Sequence, residues 1–169
     1  MAGELAGRKA MVLGAETELG AALVQALAQA GTDVAAVAAT IRPDDAFAAK
    51  RAARRAAAAG VRAEALAIDA TNEAALRVTV RQVGKLLGGL QLAFVCGGDS
   101  AVFQRACRLA GREIARSGGG AVVGIGEALQ APEGRPAGVR WLTLAPRESI
   151  GETVEAALSL AADREETRS

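Results

Sequence analysis

Apolar positions along the chain fall into two alternating patterns. Short apolar runs bounded by turn residues read as buried strands at 10–13 (AMVL), 33–39 (DVAAVAA), 63–68, 90–95, 121–125 and 139–144. Between them, apolar residues recur at helical spacing. Leu19, Leu23 and Leu27 with Ala22, Ala26 and Ala30 make one such stripe, which stops at Gly31. Further helices are predicted over 44–59, 73–87 (capped by Asn72), 101–116 and 149–161. The helix over 101–116 gathers Val102, Phe103, Ala106, Leu109, Ala110 and Ile114 on one side.

Strands alternating with helices at this spacing predict an α/β fold. It is a three-layer, doubly wound, Rossmann-like parallel sheet of about six strands with right-handed crossovers. One link breaks the rhythm. Residues 126–138 (GEALQAPEGRPAG) hold two prolines and three glycines. A crossover with its helix needs at least about 10–12 residues, so this link is expected to carry no helix. The reading is a single domain over 1–162, truncated after its sixth strand and last helix, with a frayed charged tail over 163–169.

Composition narrows the picture. Hydrophobic residues make up 51% and aromatics 2%, with alanine prominent, so the core must form by close approach of helices to sheet. A net charge of +1 gives no reason to expect nucleic acid or a membrane as partner. The apolar stretch from Leu19 to Ile41 is cut by Gln25, Gln29, Gly31 and Asp33, which argues against a membrane span. Glu4 and Arg8 interrupt any leader-like start. Cys96 and Cys107 read as reduced thiols of a cytoplasmic protein. There is no histidine and no tyrosine, and only Lys9, Lys50 and Lys85 as lysines. That composition excludes Ser-His-Asp and Cys-His chemistry, tyrosine acid–base catalysis and zinc sites of the usual ligand count.

Candidate chemistry concentrates at 9–23, a strand, a glycine turn and the first turns of a helix. Gly14 and Gly20 fit a loop that brings backbone N–H groups to a pyrophosphate. Glu16 and Glu18 place two carboxylates where that anion would lie. Asp69 follows the third strand and also suits a turn. Lys50, Arg51, Arg54 and Arg55 form a basic cluster that reads as a solvated helix face. Cys96, at the end of the fourth strand, reads as a buried thiol.

In order, these motifs resemble the short-chain dehydrogenase/reductases. The family's T-G-x-x-x-G-x-G falls on 13–20, keeping Gly14 and Gly20 but with Leu13 for the threonine and Glu18 for the middle glycine. The adenine-contacting aspartate falls on Asp69. The N-N-A-G falls on 95–98, keeping only Gly98, and the serine-bearing strand on 122–127, which has no serine. A-P-G falls on Ala145, Pro146 and Arg147. The segment with Y-x-x-x-K and the final D-G-G have no counterpart. The resemblance therefore implies no catalytic residue and a vestigial cofactor loop at Gly14, Glu18, Gly20 and Asp69. No cofactor is expected, or NAD or NADP if the loop still binds. It implies a chain that is not an enzyme on its own and pairs with a catalytic paralogue in a heteromeric dehydrogenase, with a hydroxyacyl-CoA or similar alcohol as the expected substrate. A homodimer and a nucleotide-binding or sensing module without chemistry are the alternatives, and an active NAD- or NADP-dependent oxidoreductase is the reading placed last. The interface is expected on Val102, Phe103, Ala106, Leu109, Ala110 and Ile114, left bare by the missing helix.

Overall fold

The computed structural model describes residues 2–163. The elements in chain order are α1 (Ala2–Leu5), β1 (Lys9–Leu13), α2 (Glu18–Gln29), β2 (Asp33–Ala38), α3 (Pro43–Ala57) and β3 (Ala63–Ala67). They continue with α4 (Glu73–Leu87), β4 (Leu92–Cys96), α5 (Ser100–Arg116), β5 (Gly120–Ile125), β6 (Val139–Leu144) and α6 (Ile150–Ala162). All six strands lie in one sheet, in the order β3-β2-β1-β4-β5-β6, and every pairing is parallel. This is the Rossmann-like α/β fold that the alternation predicts. Only the short α1 lacks a sequence counterpart. The 126–138 link carries no helix, and among the described residues no strand follows β6. The tail expected to fray lies, beyond Asp163, outside the described residues.

Burial on both faces of the sheet explains its composition. Along β1, alternate side chains enter opposite layers. Ala10 and Val12 meet α2, α3 and α6, while Met11 and Leu13 meet α4 and α5. On the first face the filling is small. Ala36 and Ala38 of β2 oppose Ala49, Ala52, Ala53 and Ala56 of α3, so helix and sheet touch with little side chain between them. The second face is bulkier, with Phe103, Leu76, Leu87 and Ile114 all fully buried. Side chains close the helix starts: Asn72 accepts from the Ala75 N–H, Asp99 from Val102 and Ser149 from Glu152.

The expected interface on α5 is corrected by this packing. Phe103, Ala106, Ala110 and Ile114 are fully enclosed and Leu109 is 7% exposed, so these side chains already lie in the chain's own core. Only Val102 is partly open. Nor is the flank bare. Leu129 of the 126–138 link packs against Gly124 and Gly126, the Gln104 amide donates to the Gln130 carbonyl at 3.1 Å, and Trp141 of β6 lies over Gly111. An irregular strap and one indole do the covering expected of a helix. Among the described residues, the large apolar side chains left exposed are Ile41, Phe47 and Val78, and none belongs to that flank.

At the N-terminal ends of the central strands, the Lys9 ammonium donates to Asp33 Oδ2 at 2.8 Å and the Arg62 N–H to Asp33 Oδ1 at 2.9 Å. Burial disfavours the Asp33 carboxylate, but these donors and the two cations outweigh it and hold its pKa below the ordinary value. A lowered carboxyl pKa stabilises the fold above the unfolded-state value and loses that contribution as pH falls through the folded-state value. Asp33→Asn is therefore expected to flatten the acid limb of the stability–pH curve, read by denaturant titration below about pH 5. In the core, Phe103→Ala is expected to cost about 3–5 kcal/mol. Phe103→Asp or Ile114→Asp should abolish cooperative unfolding by circular dichroism, because each buries an unpaired charge.

Candidate functional site

Sheet order places the switch in winding direction between β1 and β4, with helices leaving toward opposite faces on either side. Ligands of such sheets bind at the carboxyl ends of the strands beside that switch. Here those ends carry the 14–17 turn after β1 and the 96–99 turn after β4. Gly14 has φ +94°, and a Cβ on it would strike the Cys96 carbonyl oxygen. Gly20 lies so close under the turn that a Cβ there would meet the Gly14 carbonyl, with the Ala15 Cα at 2.8 Å. These are the two packing demands a dinucleotide loop makes of its first and last glycines.

The turn is held by its own hydrogen bonds. The Gly14 and Ala15 N–H groups both donate to the Val37 carbonyl, at 2.9 and 3.1 Å. Thr17 caps α2, its hydroxyl donating to the Gly14 carbonyl at 2.8 Å and accepting from the Gly20 N–H at 2.9 Å. The N–H groups of Glu18 and Leu19 open the helix and have no intrahelical acceptor, the arrangement that receives a phosphate. The Glu18 side chain is exposed at this same end, so its charge opposes the anion that the amides attract.

Glu16 does something the sequence did not reveal. Its Oε1 reaches the tip of β2 and accepts from the Ala39 N–H at 3.0 Å. The Ala39 carbonyl in turn accepts from the Ala70 N–H at 3.0 Å, which ties the tips of β2 and β3 together. Asp69 stands at that second tip. Its Oδ1 accepts from the Thr71 hydroxyl at 2.6 Å and the Thr71 N–H at 3.0 Å, and these bonds hold its pKa below the ordinary value. Gly14, Glu16, Glu18, Gly20 and Asp69 thus all lie at the carboxyl edge of the sheet, from the start of α2 across the tips of β2 and β3. A glycine turn that no Cβ could occupy, free helix-start amides and carboxylates at the far end fit a dinucleotide, Glu18 excepted.

Other sequence candidates lie apart from it or are inert. Burial pushes the Cys96 thiol up to about 12, with the Glu16 carboxylate adding to the shift, and Cys107 likewise to about 12 through burial, so neither is a nucleophile. Lys50, Arg51, Arg54 and Arg55 are exposed on α3, with the Lys50 ammonium 5.8 Å from the Phe47 ring. A cleft of about 610 Å³ beside β6 and α6, lined by Thr143, Arg147 and Ser159 among others, is away from the switch point. No described helix is long and apolar enough to cross a membrane.

No protein-family model and no curated protein matches the chain. Solved structures do. A metagenomic short-chain oxidoreductase in complex with NADP superposes over 96% of this chain and 94% of its own, with TM-score 0.75 and 20% identity. A short-chain type dehydrogenase/reductase from Mycobacterium marinum is 25% identical over 72% of this chain and 56% of its own, with TM-score 0.57. A short-chain dehydrogenase from Mycobacterium paratuberculosis bound to NAD is 22% identical over 73% of this chain and 56% of its own, with TM-score 0.66. The chain has the short-chain dehydrogenase/reductase fold.

It spans little more than half of the two mycobacterial proteins. The comparisons overturn the expectation that the chain is no enzyme on its own. The structures it resembles are dehydrogenases and reductases, two of them holding NADP or NAD. At the crevice, Glu18→Gln should tighten dinucleotide binding about fivefold, since removing one charge near a phosphate in water is worth about 1 kcal/mol. Calorimetric titration of both proteins with NAD and NADP checks this.

Proposed function

We propose that this chain is the dinucleotide-holding unit of an NAD- or NADP-dependent oxidoreductase of the short-chain type. The observation that carries the reading is the crevice between β1 and β4. There, a turn too tight for any Cβ at Gly14 delivers the start of α2 to the place a pyrophosphate occupies in this fold. A bound nicotinamide would supply hydride chemistry. The chain's residues supply binding and position: Gly14 and Gly20 shape the floor, the Glu18 and Leu19 amides face the phosphates, and Asp69 meets the adenine end.

Oxidising an alcohol also requires a group that takes the hydroxyl proton. With no tyrosine and no histidine in the sequence, the usual carriers of that proton are absent from this chain. Lys9 is paired with Asp33 at the opposite edge of the sheet, and Lys50 and Lys85 lie on α3 and α4. We therefore assign the proton-transferring group to a partner chain of the same fold, the two chains together forming the active unit of a heteromeric dehydrogenase for a hydroxyacyl thioester or similar alcohol. Such a partner meets the outer side of α4 and α5, because the inner side is already buried.

The test is purification of the native complex beside the chain alone, followed by dinucleotide binding and turnover with alcohols and hydroxyacyl thioesters. The complex is expected to turn over at least about 100-fold faster than the chain alone, the contribution of a positioned acid–base group. Both should bind the dinucleotide. A chain that binds neither NAD nor NADP contradicts the proposal.

A further inference from the structure

The adenosine end of the crevice has an unusual owner. In dinucleotide-binding folds, an acid about 20 residues beyond the glycine turn, at the end of the second strand, accepts from the ribose 2′-hydroxyl. Here the end of β2 is Ala38 followed by Ala39, with no acid at that position. A carboxylate stands there nonetheless. Glu16, rising from the glycine turn, is fixed to the Ala39 N–H through Oε1, while its Oε2 makes no hydrogen bond among the described residues. Resting on the dinucleotide reading above, we infer that Glu16 selects the unphosphorylated dinucleotide, NAD rather than NADP, by accepting from the adenosine ribose and repelling a 2′-phosphate.

Three observations support the assignment. The bond to Ala39 fixes one oxygen and so orients the other, leaving it as a pre-placed acceptor for a ribose hydroxyl. At the β2 tip, where Glu16 is anchored, the neighbouring charges do not reverse its effect. Arg42 is the cation nearest in sequence to the β2 tip; its side chain is 78% exposed and its Nε lies 3.8 Å from Asp45 Oδ2, while Asp45 also accepts from the Thr40 hydroxyl. At the β3 tip, Arg105 donates to the Ala70 carbonyl and its Nε lies 3.9 Å from Glu73. There Arg105 shares Glu73 with Arg77 and Arg108, whereas Arg42 has its own carboxylate at the β2 tip, where Glu16 remains as surplus negative charge. A 2′-phosphate brings two more negative charges to that place, whereas a ribose diol brings two donors.

Finally, the residue is held by backbone rather than by another side chain, so replacing it leaves the turn's own hydrogen bonds intact. Gly14, Ala15 and Thr17 keep theirs without it.

Calorimetric titration of the full chain with NAD and NADP, for the natural protein and for Glu16→Gln and Glu16→Ser, tests this. Glu16→Gln keeps an acceptor for the Ala39 N–H and removes only the charge. The natural chain is expected to prefer NAD by at least about tenfold, and both variants to reduce that preference to about threefold or less, chiefly by gaining NADP affinity. Asp69→Asn, at the adenine end, should shift both affinities alike and leave their ratio unchanged. Equal affinities in the natural chain, or a ratio unmoved by Glu16→Gln, overturn the inference and leave the dinucleotide reading standing. Binding of neither nucleotide overturns the dinucleotide reading, and this inference with it.

Discussion

The architecture turns on one backbone crossing. The chain leaving β1 passes so close to the Cys96 carbonyl at the end of β4 that only hydrogen fits in place of a Cβ, and Gly14 supplies it at a φ that other residues rarely adopt. Because the turn is that tight, α2 can start directly over the sheet, and Gly20 lets its first turn rest on the loop. With α2 seated there, β2 returns on one side of β1 while β4 occupies the other. The crevice and the packing of the central strands are consequences of the same contact, so a residue that damages one damages both.

Seen from that crossing, the charge pattern of the loop is less contradictory than its two glutamates suggest. Glu18 does oppose an anion at the helix start. Glu16 does not share that position, because its side chain leaves the phosphate end altogether and anchors on the neighbouring strand. Two acidic residues separated by one position in sequence act at opposite ends of the same site. One opposes an anion at the helix start, and the other is the residue inferred to select the ribose.

Nearly all of the fold was legible, for physical reasons that differ by element. Buried parallel strands read as uninterrupted apolar runs, and the glycines at 31 and 60 and the cap at Asn72 mark the helix ends. The bare link at 126–138 followed from its prolines and glycines. What sequence could not give was the direction of side chains across elements. The stripe on α5 was correctly recognised as apolar, but periodicity cannot say whether such a face meets the chain's own sheet or another molecule. Only the positions of Leu129 and Trp141 decide that it is already covered. The Glu16 bond was hidden for a similar reason, since it joins residues 23 apart through a side chain and a backbone N–H. The signal available was indirect: the end of β2 lacked the acid its fold normally carries.

The strap that replaces a helix between β5 and β6 also sets how the molecule breathes. Sheets open from the edge with the least cover, and β6 is an outer strand whose Trp141 and Leu142 are only half-buried and whose link to β5 is irregular. The strands flanking the crevice, β1 and β4, sit at the middle of the order, bonded on both sides and buried under helices on both faces. Transient opening is therefore expected at the outer strands, β6 and the half-buried β3, rather than at β1 and β4. The edges work as a sacrificial margin: they absorb the fluctuations of a thin, alanine-rich protein while the tight turn between β1 and β4 keeps its shape.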